Sequence, residues 1–213
     1  SCPVPEAVLN NGIVEDEKQY QLLFCEVQKI VINSSGPVYI VDLHTTSSES
    51  APYFAIGDTM RNRRFATKIP IHITLGLEEQ LAGTMMSYLN DVGLTAIILE
   101  SGQHDSKAAI DNCISCMWLV LHHAGCMRQN DVPNFQGHHQ ALKKATGEKR
   151  ELLEVRYRYA IKQGEQFEMQ QGYKNFQPIQ KGEVVATNQD GPILTPEGGR
   201  IFMPLYQKQG SDG

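Results

Sequence analysis

The chain has 213 residues, of which 41% are hydrophobic and 20% are charged. These values are typical of a globular protein with a buried core, and they exclude disordered, collagen-like and coiled-coil chains. Nineteen Lys and Arg residues against 24 Asp and Glu residues give a net charge of -5, so we expect neither nucleic acid nor an anionic membrane as a partner. No stretch of the sequence stays apolar for the ~18–20 residues that a membrane helix needs.

The cysteines and the first residues bear on the compartment. Five cysteines at irregular spacing argue against a disulfide scaffold and for a reducing environment. The first residues show neither the basic end nor the apolar centre of a secretion signal. We therefore expect a cytoplasmic protein. The sequence leaves the oligomeric state open, a homo-oligomer included.

The first part of the chain alternates between helix and strand patterns. Apolar residues recur with a helical period over 15–31, and a break at 33–37 precedes a β-branched strand run, 38–43. Further strands are predicted at 52–56, 70–73 and 95–99, and a second helical stripe runs from Leu81 to a stop at Gly93. This alternation predicts a layered α/β domain with a largely parallel sheet.

A longer helix is predicted to begin after Ser106, which suits the N-cap position. Cys113 and Cys116 on this helix, together with nearby histidines, suggest a second metal site as an alternative. Both cysteines fall on the apolar side of the predicted helix, which favours core packing. The expected inward face consists of Ile110, Cys113, Ile114, Met117 and Leu121.

The pattern changes near Lys149. Residues 151–161 alternate between apolar and polar, as in a half-buried strand, and glycines and prolines then separate several short segments. We predict an α/β domain at 1–130, a linker at 131–148 and a small all-β domain at 149–213. A biotinyl- or lipoyl-like carrier is an alternative for the last unit. It needs a lysine at a hairpin tip, and Lys181-Gly182 lies in a predicted turn without the usual flanking residues.

Two predicted strands end in chemically active residues. His44 follows the strand at 38–43, and Glu100 follows the strand at 95–99. Ligands of open α/β sheets bind beyond the carboxyl ends of the strands, so we expect both side chains to face one cleft. Imidazole is a good zinc ligand, a carboxylate can act as a general base, and Asp42 is placed to fix the tautomer of His44. Structural hydrogen bonding is the alternative role for each of these residues.

The segments VDLHTTSSES and TAIILESGQHD lie about fifty residues apart and resemble the succinylglutamate desuccinylase/aspartoacylase family of zinc amidohydrolases. The resemblance extends from about Pro5 to the helix that ends near Cys126, and continues through 172–213 into what looks like the family's C-terminal β domain. It implies a zinc-carboxypeptidase-like fold, with a layered mixed sheet and a small all-β domain. It also implies hydrolysis of an N-acyl amino acid such as N-succinylglutamate or N-acetylaspartate.

The resemblance assigns roles to residues at the two strand ends. His44 matches a zinc ligand, and Glu100 matches the catalytic carboxylate that takes a proton from a metal-activated water. For the basic cluster of Arg61, Arg63 and Arg64, a solvated helix face is the favoured interpretation over contact with a carboxylate substrate. The candidates for substrate binding are Thr45, Thr46, Arg61 and His104.

The sequence also departs from the family pattern. The family takes two further zinc ligands from a His-x-x-Glu motif, followed by a substrate-binding Asn-Arg pair, and neither motif occurs here. We expect the chain to lack an N-terminal section that carries both, and therefore to hold little or no zinc alone. Asn90 stands where some relatives have a substrate-binding arginine. A non-catalytic homologue, or an inactive fragment without the metal site, is the alternative function.

Overall fold

The computed structural model describes residues 14–81, 84–147 and 149–206. This part of the chain contains the helices α1 (Val14–Asn33), α2 (Met60–Ala66), α3 (Leu77–Gln80), α4 (Met85–Asp91), α5 (Lys107–His123) and α6 (Phe135–Thr146), with a 3-10 turn at Gln129–Asp131. Its strands are β1 (Tyr39–Thr46), β2 (Tyr53–Ile56), β3 (His72–Leu75), β4 (Thr95–Gln103), β5 (Leu152–Glu154), β6 (Glu168–Met169), β7 (Pro178–Ile179), β8 (Val184–Asn188), β9 (Gly191–Leu194) and β10 (Gly199–Arg200). None of the helices so described is long and apolar enough to cross a membrane.

Five strands form one mixed sheet in the order β1-β4-β2-β3-β5. β1 is parallel to β4, β4 is antiparallel to β2, and β2, β3 and β5 are parallel to one another. Each of the four strands predicted before residue 100 corresponds to a strand of this sheet. β1 and β4 continue beyond the predicted runs, as far as Thr46 and Gln103.

Alternate residues of the sheet face two different layers, because successive side chains of a strand point to opposite sides. Phe54, Ile97 and Leu99 pack into the main core, which α2, α5 and α6 complete. Tyr53 and Ala55 face the other side, where the chain after β5 covers the sheet. We call this second side the cavity face. α1 and α4 pack over the same side near the starts of β1 and β4.

The buried side of α5 differs from the prediction. Ile110 and Ile114 are 60% and 49% exposed, whereas Ala109 is buried. A Cβ atom added to Gly102 of β4 would lie 3.3 Å from the Cβ of Ala109. The helix therefore approaches the strand so closely that small residues face it here, and the larger isoleucines of the predicted stripe are turned outward.

The two cysteines of α5 take part in packing. Cys116 is fully buried in the main core, and Cys113 packs against that core. Both are free thiols, and burial raises the pKa of each. These contacts agree with core packing, the favoured interpretation of the sequence.

The expected linker at 131–148 is wrong for most of its length, because α6 occupies Phe135–Thr146 and packs on α5. Leu142 is fully buried, and the ring of His138 is 3.1 Å from the Ser115 hydroxyl and stacks on Trp118. A surface helix needs only a narrow apolar stripe. The polar residues that fill the rest of α6 gave the segment the composition of a linker.

The strand expected over 151–161 is shorter than predicted and belongs to the main sheet. β5 spans only Leu152–Glu154 and pairs in parallel with β3. The strands of the small antiparallel sheets, β6-β8-β9 and β7-β10, all follow it. We call this later part, 168–206, the β unit. Its own core is built around Met169, Ala186 and Ile201.

Candidate functional site

His44 and Glu100 are register partners on the parallel strands β1 and β4. Neighbouring strands place paired residues on the same face of a sheet, here the cavity face. Both side chains line a single cavity of about 790 Å³ between the sheet and the β unit. The structure thus brings together the two residues that the strand ends suggested.

Glu100 lies in an environment that disfavours its charged form. The residue is only 7% exposed, and its Oε2 atom has no hydrogen-bond partner among the described residues. Burial raises the pKa of Glu100 to about 7, with His44 acting to lower it and Asp42 to raise it. A carboxyl group with a pKa near neutrality can both accept and return a proton, which is what a general base requires.

Asp42 contacts His44 directly, as expected from its position two residues earlier on the strand. The Oδ2 atom of Asp42 is 2.9 Å from Nε2 of His44, and both side chains are about half exposed. A carboxylate that accepts a hydrogen bond from one ring nitrogen fixes the tautomer of a neutral imidazole. His44 can then bind a further ligand only through Nδ1.

Thr45 and His104 form a hydrogen-bonded pair at the cavity. The Thr45 hydroxyl is 2.7 Å from Nδ1 of His104, and the backbone N–H of His104 donates to the Thr46 carbonyl. All three residues line the cavity. The Thr46 hydroxyl, however, is buried and donates to the Ser48 carbonyl at 2.8 Å, so it stabilises the turn.

Arg61 does not line the cavity. Its guanidinium donates to the backbone carbonyl of Asn90 at 2.8 Å. The side chain of Asn90 is buried, accepts a hydrogen bond from Asn62 and donates one to Glu78. Asn90 therefore stabilises the packing of α2, α3 and α4.

Tyr53 and Thr74 lie at the site, although the sequence analysis did not single them out. Tyr53 is fully buried opposite Glu100 on β2, and burial and the charge of Glu100 both raise the pKa of its phenol. Thr74 of β3 lines the cavity, and its hydroxyl is buried without a hydrogen-bond partner in the described chain. The alternation of the strand at 52–56 places Tyr53 on one face, but nothing local reveals that this strand pairs with β4.

The β unit holds the loop that follows β1. The backbone N–H of Asn175 donates to the Glu49 carbonyl at 2.9 Å, and its side-chain amide donates to the Ser50 hydroxyl at 3.0 Å. The backbone N–H of Tyr206 donates to the Ser47 hydroxyl at 3.3 Å. The loop beside His44 is therefore fixed by residues from the other side of the cavity.

The chain matches no family model and no curated protein, but solved structures resemble it. The succinylglutamate desuccinylase from Vibrio cholerae matches with a TM-score of 0.55 and 15% identity over 90% of this chain and 58% of its own. The product-bound structure of the ectoine utilization protein EutE (DoeB) from Ruegeria pomeroyi matches with a TM-score of 0.54 and 17% identity, over 76% of this chain and 51% of its own. A succinylglutamate desuccinylase/aspartoacylase from Rhodobacter sphaeroides matches with a TM-score of 0.53 and 17% identity, over 82% of this chain and 56% of its own.

The chain has the fold of these structures. The fold expected from the resemblance carried by the segments at 41–50 and 95–105 is thereby confirmed, as a mixed α/β sheet followed by small antiparallel sheets. The chain spans between about half and three fifths of the length of the structures that it matches.

The zinc site that the resemblance implies is not formed by the residues described. Within 14–81, 84–147 and 149–206, no three His, Cys, Asp or Glu side chains are arranged so that they could hold a metal ion. A catalytic zinc usually has three protein ligands. Here His44 has Asp42 and Glu100 as its carboxylate neighbours, and Asp42 is already paired with the imidazole. These residues alone do not fit a catalytic zinc.

Proposed function

We propose that this chain is part of a zinc-dependent amidohydrolase that removes the acyl group from an N-acyl amino acid, with Glu100 as the acid-base residue. The observation that carries the proposal is the pairing of Glu100, buried and with a pKa near 7, with His44 at one cavity. The fold shared with desuccinylase structures supports it. The ligand would be a small molecule, with no nucleic acid or membrane partner, and the location proposed is the cytoplasm.

In the proposed reaction, the Glu100 carboxylate accepts a proton from the attacking water and later donates it to the leaving amine. Burial favours the protonated form after the first transfer. Asp42 orients the imidazole of His44. Thr45 and His104 lie where they can hold polar atoms of the substrate, because their linked side chains line the cavity.

His44 is the only described residue that we propose as a zinc ligand. The remaining ligands would have to come from residues other than those described, because the described set does not complete a site. Substitution of His44 by Ala should therefore lower the zinc content of the full-length gene product that contains this chain. N-succinylglutamate and N-acetylaspartate are the first substrates to assay.

The test compares hydrolysis of a panel of N-acyl amino acids by the unaltered full-length gene product and by its Glu100→Gln variant. Loss of the general base should lower the rate about 10²–10⁴-fold. Asp58→Asn is the matched control, since Asp58 is a carboxylate that pairs with Arg63 on the surface, and it should leave the rate unchanged. Equal rates for Glu100→Gln and the unaltered protein would contradict the proposed role of Glu100.

A non-catalytic protein that keeps this fold is the second candidate. The observation in its favour is that the described residues bring together no three metal-binding side chains. The hydrogen bonds that Asn90 makes to Asn62 and Glu78 also favour a non-catalytic protein, because they give this side chain a structural role. For this candidate, the full-length gene product should contain no zinc after purification and should hydrolyse none of the panel.

A further inference from the structure

The sheet beside Glu100 presents a wall to the cavity that is apolar except for the Thr74 hydroxyl. The next row of residues on the same face consists of Ile98, Ala55, Thr74 and Leu153, which are register neighbours on four adjacent strands. Ile98, Thr74 and Leu153 line the cavity together with Glu100. The β unit and the segments flanking it supply further apolar side chains to the cavity: Phe167, Met169, Phe176 and Val185.

The arginines of the cavity are already engaged within the chain. Arg200 is 2.9 Å from a carboxylate oxygen of Glu151, and Arg156 is 3.7 Å from one of Glu197. Arg158, the third arginine in the lining, also has an interaction partner. A carboxylate at the end of a short acyl group would have to compete with these pairs or lie against the apolar row, where an unpaired charge is strongly disfavoured.

We propose that the acyl group accepted at this site is apolar, a medium-length alkyl or an aryl group, and is not a short dicarboxylic group. This inference rests on the proposed function, because it places the scissile amide at Glu100 and the acyl group along the row from Ile98 to Leu153. The cavity volume of about 790 Å³ lies in the range of roughly 300–1,000 Å³ that is usual for small-molecule sites. A succinyl group would fill only a small part of a cavity of this size.

Binding to the purified 213-residue chain tests the inference by isothermal titration calorimetry. The two probes are N-octanoyl-L-glutamate and N-succinyl-L-glutamate, which share the amino acid and the amide and differ only in the acyl group. One methylene in an apolar pocket is worth about 10–200-fold. We therefore expect the octanoyl compound to bind at least about 10-fold more tightly. Equal or tighter binding of the succinyl compound, or no binding of either probe, would overturn the inference.

Two adjacent leucines of β5 provide a matched pair of variants. Leu153 lines the cavity, whereas Leu152 is 56% exposed and does not. Leu153→Asn should weaken binding of the octanoyl probe about 10-fold or more, and Leu152→Asn should not. Leu77→Asn, on the cavity wall in α3, replaces the first variant if that variant folds poorly. Unchanged affinity in the cavity variants would also overturn the inference.

The binding measurement separates the inference from the proposed function. A preference for the octanoyl probe that Leu153→Asn removes, with no hydrolysis of any N-acyl amino acid by the full-length gene product, would refute the deacylase and uphold the ligand class. Hydrolysis by the full-length gene product that is as fast for N-succinylglutamate as for N-octanoylglutamate would uphold the deacylase and refute the ligand class.

Discussion

Tyr53 and Glu100 lie opposite each other on the antiparallel strands β2 and β4, and both are buried. Burial and the charge of Glu100 raise the pKa of Tyr53, which the nearby amide of Asn175 partly offsets. Neither the Tyr53 hydroxyl nor Oε2 of Glu100 makes a hydrogen bond of normal geometry to a described residue. Buried polar atoms of this kind lower the stability of the folded state, and such strongly perturbed groups cluster at functional sites.

Glu100→Gln should stabilise the protein at pH 8 and change its stability little at pH 4. The folded-state pKa of Glu100 is about 7 against an ordinary value of 4.5, so the folded state binds the proton more tightly. The stability that this provides is complete below the unfolded pKa and is lost as the pH rises through the folded pKa. Gln is neutral throughout, and the free energy of unfolding at pH 8 should rise by up to about 3 kcal/mol.

Urea unfolding at the two pH values checks this prediction. Glu26→Gln is the control, because Glu26 lies on the exposed side of α1 beside Lys29. It should change the free energy of unfolding by less than about 0.5 kcal/mol at either pH. A gain for Glu100→Gln that is as large at pH 4 as at pH 8 would show that the pKa of Glu100 is not raised.

Tyr53→Phe should leave the free energy of unfolding unchanged within about 1 kcal/mol or increase it, because the buried hydroxyl that it removes makes no hydrogen bond of normal geometry to a described residue. Tyr53→Ala should instead cost about 3–5 kcal/mol. The ring packs edge-on against Phe176 and Phe202, at centroid distances of 5.0 and 5.6 Å. Chemical denaturation measures both variants, and a loss above about 2 kcal/mol for Tyr53→Phe would mean that the hydroxyl has a partner in solution.

Asn175→Ala should destabilise the protein by about 1–3 kcal/mol. The substitution removes the amide that donates to the Ser50 hydroxyl at 3.0 Å and the oxygen that accepts from the backbone N–H of Met203 at 2.9 Å. It should also speed amide hydrogen exchange in residues 47–50. The neighbouring Lys174→Ala removes only an exposed ion pair with Glu49 and should cost less than about 1 kcal/mol. Equal effects of the two substitutions would argue against the anchoring role of Asn175.

Asp42→Asn should lower the hydrolysis rate or the zinc affinity of the full-length gene product about 10–100-fold, if His44 binds the metal as proposed. The substitution removes the carboxylate that lies 2.9 Å from Nε2 of His44. Because both side chains are about half exposed, the free energy of unfolding should change little. Rate and zinc content are measured beside Asp58→Asn, and matching values for the two variants would show that the Asp42–His44 contact has no functional role.

The positions of His44 and Glu100 at the site could be predicted from the sequence, because a short run of neighbouring residues is enough to show where a buried strand ends. His44 and Glu100 each follow an apolar run, and two parallel strands were enough to place them together. Tyr53 escaped notice because its position depends on β2 pairing with β4. Such pairing joins residues that are distant in sequence, and no local pattern specifies it.

Two errors of prediction arose because contacts with residues outside the local segment decided the outcome. The inward side of α5 followed the largest apolar residues, yet the close contact between Ala109 and Gly102 turned Ile110 and Ile114 outward. The strand expected at 151–161 was assigned to a separate β domain. An alternating pattern indicates that a strand is half buried, but it does not indicate which strand it pairs with. Hydrogen bonding to β3 placed Leu152–Glu154 in the main sheet.

The pairing of β5 with β3 also constrains the order in which the protein can fold. Ile73 pairs with Leu152, which lies far away in the sequence, so the edge of β3 stays open during synthesis until Leu152 has left the ribosome. Parallel pairing between distant segments is slow to form, and an open strand edge invites aggregation in the meantime. A nascent chain released before Leu152 would lack β5 and expose that edge, and we expect it to aggregate more readily than a chain that contains β5.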